Sequence, residues 1–231
     1  MRNLLLLTLL SFVLNACGET ITGNGKVISK NHEVEAFERI STSGVFEVVL
    51  IHGEPKVVIE TDENIHEHIL VEVKSGELII SSENKMLNTD DLIVTVYYET
   101  MTAVSLSGAS TVKTSGTLKA GKFDLDISGA AEADMAVDVD EFELDLSGGG
   151  EVKLKGRADH LILELSGAAE VDAFDLASKT ADIDISGASE VELSVSDELN
   201  VDISGAGEVK YKGSPSINQD ISGAGELKQI K

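Results

Sequence analysis

The chain has 231 residues, with 18 Lys or Arg against 41 Asp or Glu, a formal net charge of −23. Nucleic-acid binding and attraction to anionic lipid headgroups both rest on Lys and Arg, so this balance argues against both. Hydrophobic residues at 42% exclude a disordered acidic chain, while 4% aromatics and no Trp leave Val, Ile, Leu and Ala to build the core.

Met1 and Arg2 open the chain, and Leu4 to Leu14 form an apolar run of eleven residues. That run is too short to span about 30 Å of hydrocarbon and fits a signal-peptide core, here over residues 1–16. It ends in Leu14-Asn15-Ala16-Cys17-Gly18, which resembles the bacterial lipobox. The resemblance implies that Cys17 is diacylated, becomes the mature N-terminus and anchors the protein in a membrane. Cys17 is the only Cys, so no internal disulfide forms. Cleavage removes Arg2 and leaves 17 − 41 = −24. Gly18 rather than Asp after the Cys resembles outer-membrane sorting within the cell envelope. Residues 17–35, polar and Gly-containing, read as a tether.

Residues 36–102 are strand-like but irregular. Apolar alternation recurs at Val45 to Ile51, Lys56 to Glu60, Ile69 to Val73, Leu78 to Ile80 and Leu92 to Tyr97. His52-Gly-Glu-Pro55 and Ser75-Gly76 mark turns. These strands are expected to form wider first coils, or a cap over the open end of the repeat region at residues 103–231.

Residues 103–231 repeat. Seven segments read Leu106-Ser-Gly-Ala109, Ile127-Ser-Gly-Ala130, Leu146-Ser-Gly-Gly149, Leu165-Ser-Gly-Ala168, Ile185-Ser-Gly-Ala188, Ile203-Ser-Gly-Ala206 and Ile221-Ser-Gly-Ala224. Their glycines are 21, 19, 19, 20, 18 and 18 residues apart. A period near 19 with β alternation is the signature of a solenoid. Before each Ser-Gly, apolar residues alternate with acids, as in Phe142-Glu-Leu144-Asp-Leu146; after it comes a second alternation, as in Glu151-Val-Lys-Leu154. The uneven spacing, without a six-residue period, favours an all-β, right-handed parallel β-helix over a left-handed hexapeptide helix. In the Ser-Gly turn, Gly supplies either a positive φ or room for close stacking between coils.

Stacking at about 4.8 Å turns single positions into columns. One predicted column is Asp126, Asp145, Glu164, Asp184, Asp202 and Asp220; a second is Glu132, Glu151, Glu170, Glu190, Glu208 and Glu226. Together they hold 12 of the 25 acids from residue 103 onward. A third, of hydroxyls, runs from Ser107 to Ser222 through each Ser-Gly. Neighbouring charges in such a column repel by roughly 0.9 kcal/mol in water before screening. The columns read first as a solvated face eased by Lys113, Lys153, Lys210 and Lys228. The alternative is a ladder that binds Ca²⁺ or a basic partner.

With the lipobox, the opening Phe37-Glu-Arg-Ile-Ser41, the hairpin-like Ile51-His-Gly-Glu-Pro55, the Ser-Gly-Ala/Gly-x-Glu-Val repeats and Tyr211-Lys-Gly-Ser-Pro215, the chain resembles the putative auto-transporter adhesin head GIN domain family of bacterial lipoproteins and secreted proteins. The resemblance covers residues 36–231. It implies a pectin-lyase-like β-helix at the cell surface or in the periplasm, an adhesive role and no established catalytic residues.

Catalysis finds little support in the residues. A polysaccharide lyase on this fold needs Arg or Lys as base, and after cleavage only Arg39 and Arg157 represent Arg. Sugar subsites usually offer aromatic platforms, and Tyr97, Tyr98 and Tyr211 are the only tyrosines. Paired carboxylates for hydrolysis are abundant because the repeat makes them, so glycan cleavage stays open as a second alternative. His66-Glu-His68 has metal-ligand residue types but reads as a surface turn, with His32, His52 and His160 scattered. The expectation is therefore a non-catalytic surface-binding scaffold without cofactor or metal, whose defined site residue is Cys17. The last coil ends in Glu226-Leu-Lys-Gln-Ile-Lys231, to be capped by its charges or to pair with a second copy.

Overall fold

The computed structural model describes residues 20–82, 86–89 and 92–231; the expected signal peptide, residues 1–16, and Cys17 lie outside them. The strands in chain order are β1 (Thr20–Thr22), β2 (Val27–Glu33), β3 (Arg39–Gly44), β4 (Glu47–His52), β5 (Lys56–Asp62), β6 (Leu70–Lys74), β7 (Glu77–Ser81), β8 (Met86–Asn88) and β9 (Leu92–Tyr98). Then come β10 (Ala103–Gly108), β11 (Thr111–Gly129), β12 (Glu132–Gly148), β13 (Glu151–Gly167), β14 (Glu170–Gly187), β15 (Glu190–Gly205), β16 (Glu208–Lys212), β17 (Ser216–Gly223) and β18 (Glu226–Gln229). Among the described residues there is no α-helix; a single 3₁₀ turn spans His66–His68.

From β10 onward every neighbouring pair is parallel, and the coils stack as a β-solenoid. Period-two alternation sends one side chain of each pair inward. Phe123, Phe142, Leu161, Ala181 and Leu199 lie in one register column and Val112, Ala133, Val152, Val171, Val191 and Val209 in another, all buried. No single coil can bury such a face, so each stabilises its neighbours.

The differences in coil length are confined to one side. Pairing from Phe123 through Gly129 to its counterparts in later coils is unbroken, whereas register shifts fall at Lys113/Thr117, Lys153/Lys155, Ala173/Ala177 and Ser178/Thr180. The Ser-Gly turn is the fixed corner. At Gly129, Gly148, Gly167, Gly187, Gly205 and Gly223 φ is between +117° and +151°, and a Cβ would meet the carbonyl oxygen of the glycine one coil earlier at 2.1 to 2.5 Å. Both reasons proposed for the glycine therefore apply at once. The same oxygen accepts the N–H of the following residue, as from Ala168 to Gly148 at 2.9 Å.

At the N-terminal end the chain lays down a coil out of order. β3 and β4 sit between β10–β11 on one side and β7 and β9 on the other, all in parallel. Ser43-Gly44 aligns with Ser107-Gly108, an eighth corner. Antiparallel strands then cover the end: β6 on β7, and β5 on β9 with β2 outside it. The residues of 36–102 are thus both early coils and cap. Two local readings change. Residues 17–35 are not wholly a tether, because Thr20–Thr22 pairs with β8 and Val27–Glu33 with β5. Ile51 to Pro55 does not close a hairpin, because β9 lies between β4 and β5. Ser75-Gly76 does close one, with φ of 52° and 75° as tight β-hairpins require.

At the other end, inward positions held by Val201 and Tyr211 are taken in the last coil by Gln219 and Gln229. The Gln229 amide donates to the Gly213 carbonyl at 2.7 Å. Two inward positions of the terminal repeat are thus polar, whereas Ile217, which is 44% exposed, and Leu227 keep apolar ones.

Candidate binding face

The two acidic columns form as expected. Asp126, Asp145, Glu164, Asp184, Asp202 and Asp220 are consecutive register partners, and so are Glu132, Glu151, Glu170, Glu190, Glu208 and Glu226. Their surroundings differ. Two residues after the Glu column, on the same outward face, stand Lys153 and Lys210. Lys153 pairs with Glu151, and Lys210 with Glu190, Glu192 and Glu208. Lys113 instead bonds Glu47 at 2.8 Å. Hydrogen bonds that the Lys210 ammonium donates to Glu190 and then Glu192 hold it above its ordinary pKa.

Two residues after the Asp column comes only the serine column. Among the described residues no Lys, Arg or His nitrogen lies within 4.0 Å of any of its six carboxylates. Ser105 donates to Asp126 at 3.1 Å at its N-terminal end. Beside it runs a mixed column of Asp124, Glu143, Ile162, Asp182, Asn200 and Asn218. There Lys122 joins Asp124, Glu141 and Glu143, and these bonds, Glu143 first, raise its pKa. His160 lies 3.3 Å from Asp182, and Asn200 donates to Asp182 at 2.7 Å. Over the last four coils the two columns line a shallow groove of about 270 Å³, from Ile162 and Glu164 to Asn218 and Asp220.

Sequence reading found the Asp and Glu columns but not the distinction between them, nor the mixed column beside the first. The signal was present: Lys two residues after an acid shares its face, whereas Ser does not neutralise it. Outside the columns, Arg157 is held by Asp138 and Asp159, and Arg39 donates to the Ser75 carbonyl at 3.1 Å. Lys179 and then Arg157 keep Asp159 below the usual carboxylate range. His66 is not on a surface turn but buried, its Nε2 3.1 Å from the Ile28 carbonyl. Among the described residues no group of three or more His, Cys, Asp or Glu is placed to hold a metal ion. No helix among them is long and apolar enough to cross a membrane.

The chain belongs to the family described as "Putative auto-transporter adhesin, head GIN domain", whose model matches residues 36–215. Similar solved structures have the same fold. A putative adhesin from Bacteroides fragilis is 23% identical with a TM-score of 0.86, covering 91% of this chain and 100% of that one. A putative lipid binding protein from Parabacteroides distasonis is 19% identical with a TM-score of 0.75, covering 92% and 100%. A putative adhesin from Parabacteroides merdae is 21% identical with a TM-score of 0.70, covering 93% and 100%. No curated protein matches the chain.

Proposed function

We propose that the protein is a lipid-anchored, non-catalytic scaffold of the bacterial cell envelope, which adheres to a basic partner through its unpaired Asp column. The observation that carries this is the contrast between two columns of equal spacing: lysines pair with Glu151, Glu190 and Glu208 of one, whereas among the described residues none of the six carboxylates of the other, beside an open groove, has a cation within 4.0 Å. A carboxylate array without internal cations attracts external ones and steers a basic surface onto it. Family membership supports an adhesive role, and the engagement of Arg39 and Arg157 by neighbouring groups supports the absence of catalysis.

The purified protein is expected to bind an immobilised lysine-rich peptide with an affinity that falls as salt rises. The triple variant Asp184→Asn/Asp202→Asn/Asp220→Asn should lose at least about tenfold of that affinity, whereas Glu190→Gln should change it little. Equal binding by the triple variant, or turnover of a glycan panel by the native protein, overturns the reading. The anchor is tested separately. Cys17→Ser should move the protein from the membrane fraction to the soluble one, and an unchanged membrane fraction removes the lipid from the proposal.

A further inference from the structure

The cap holds its outer strand through an unusual set of side chains. β2 is an edge strand that pairs only with β5. Of its seven residues only Ile28 and His32 are half-buried; the rest are exposed. The Ile28 carbonyl lies 3.1 Å from His66 Nε2, which therefore donates to it. His66, on the 3₁₀ turn after β5, is 6% exposed, and its Nδ1 is buried without a hydrogen-bond partner. His32 Nε2 is also buried without one. Beside the half-buried Ile28 side chain, the attachment of β2 thus involves two imidazoles, each with a buried ring nitrogen that has no partner to share a proton.

We propose that His32 and His66 form an acid-sensitive latch that releases β2 from the cap at mildly acidic pH while the solenoid stays folded. The surroundings favour a neutral His32 ring. Burial first, then the neighbouring His66, then Lys30 on the same face of β2, lower the His32 pKa from its ordinary 6.5. The other charged groups on the packed elements are Glu33 on β2, Lys56, Glu60 and Asp62 on β5, and Glu67 and His68 on the turn. None of these offsets the burial of His32.

A released strand takes up a proton near pH 6.5, whereas docked His32 does so only at lower pH. In that interval the docked state binds fewer protons, so its stability falls with falling pH and is fully present above it. On the solenoid side His160 is partly exposed and lies 3.3 Å from Asp182.

Hydrogen–deuterium exchange of the whole protein at pH 7.5 and 5.5, corrected for intrinsic exchange, tests this. Residues 27–33 should exchange about tenfold faster at pH 5.5 with β11 to β15 unchanged. In His32→Leu/His66→Gln, where Gln keeps an N–H for the Ile28 carbonyl, the difference should vanish. Native β2 protection that is equal at the two pH values overturns the latch. Acid loosening that persists in the double variant overturns the histidines as its cause. If the double variant docks poorly, the imidazole titration of native His32 followed by NMR decides: a midpoint at or above 6.5 overturns the proposal.

Discussion

Replacing Gly167 with Ala is expected to lower stability by about 3 kcal/mol or more, far beyond a usual Gly-to-Ala change on a strand. The φ of +136° at Gly167 is one that L residues rarely adopt, and the new Cβ would lie 2.1 Å from the Gly148 oxygen. That oxygen is backbone and accepts the Ala168 N–H at 2.9 Å, so it cannot move aside without breaking the ladder. Two controls separate the causes. Gly116 has a φ of +103° but nothing within 4 Å of its Cβ position, so Gly116→Ala should show only backbone strain, about 1 to 2 kcal/mol. At Gly149 the nearest atom to a Cβ is 3.6 Å away and φ is not left-handed, so Gly149→Ala should be close to neutral. Urea midpoints at constant m-value measure all three. A Gly167→Ala loss no larger than that of Gly116→Ala removes the stacking argument.

That corner also explains how much of the fold can be read from the chain. Every coil closes on the same crowded glycine, so the Ser-Gly spacing in the sequence is the register in space, and the acidic columns emerge by counting. Legibility stops where the corner loses its sequence context. Ser43-Gly44 comes after Thr42 rather than Leu or Ile, and lies in space against Ser107-Gly108, 64 residues away. The strands between them, β5, β6, β7 and β9, obey antiparallel and out-of-order pairings that no periodicity records. β2 is hidden for a further reason: its ladder uses backbone atoms, and its outward face is as polar as a tether. For the binding face, the array was legible and its neutralisation was not. Equal columns acquire different characters partly from the residues two positions later, where Lys153 and Lys210 stand among Asp134, Asp172 and Glu192 in one case and Ser128 to Ser222 run in the other. The net charge of −23 is thus largely a product of the repeat.

Phe142→Ala is the second substitution expected to act strongly, with a loss of about 3 to 5 kcal/mol. Phe142 is 0% exposed, stacks on Phe123 with ring centroids 5.7 Å apart, and has Leu161 as its partner in the next coil. In a chain with 4% aromatics, these two rings fill a layer that Leu and Ala occupy in later coils, so nothing adjacent is large enough to collapse into the space. Phe174 is the matched control. It is partly exposed, carries Lys212 over its ring at 4.0 Å, and its truncation should cost about 1 kcal/mol. Because coils support one another only through neighbours, damage at Phe142 weakens two interfaces, toward β11 and toward β13. Unfolding should nevertheless remain one transition if the coils form a single cooperative unit, with a lower urea midpoint and an unchanged m-value. A reduced m-value or two transitions would show that the early coils and cap can detach from the later repeats. A loss no greater than that of Phe174→Ala would mean that the Phe123–Phe142 layer is not the anchor that its burial implies.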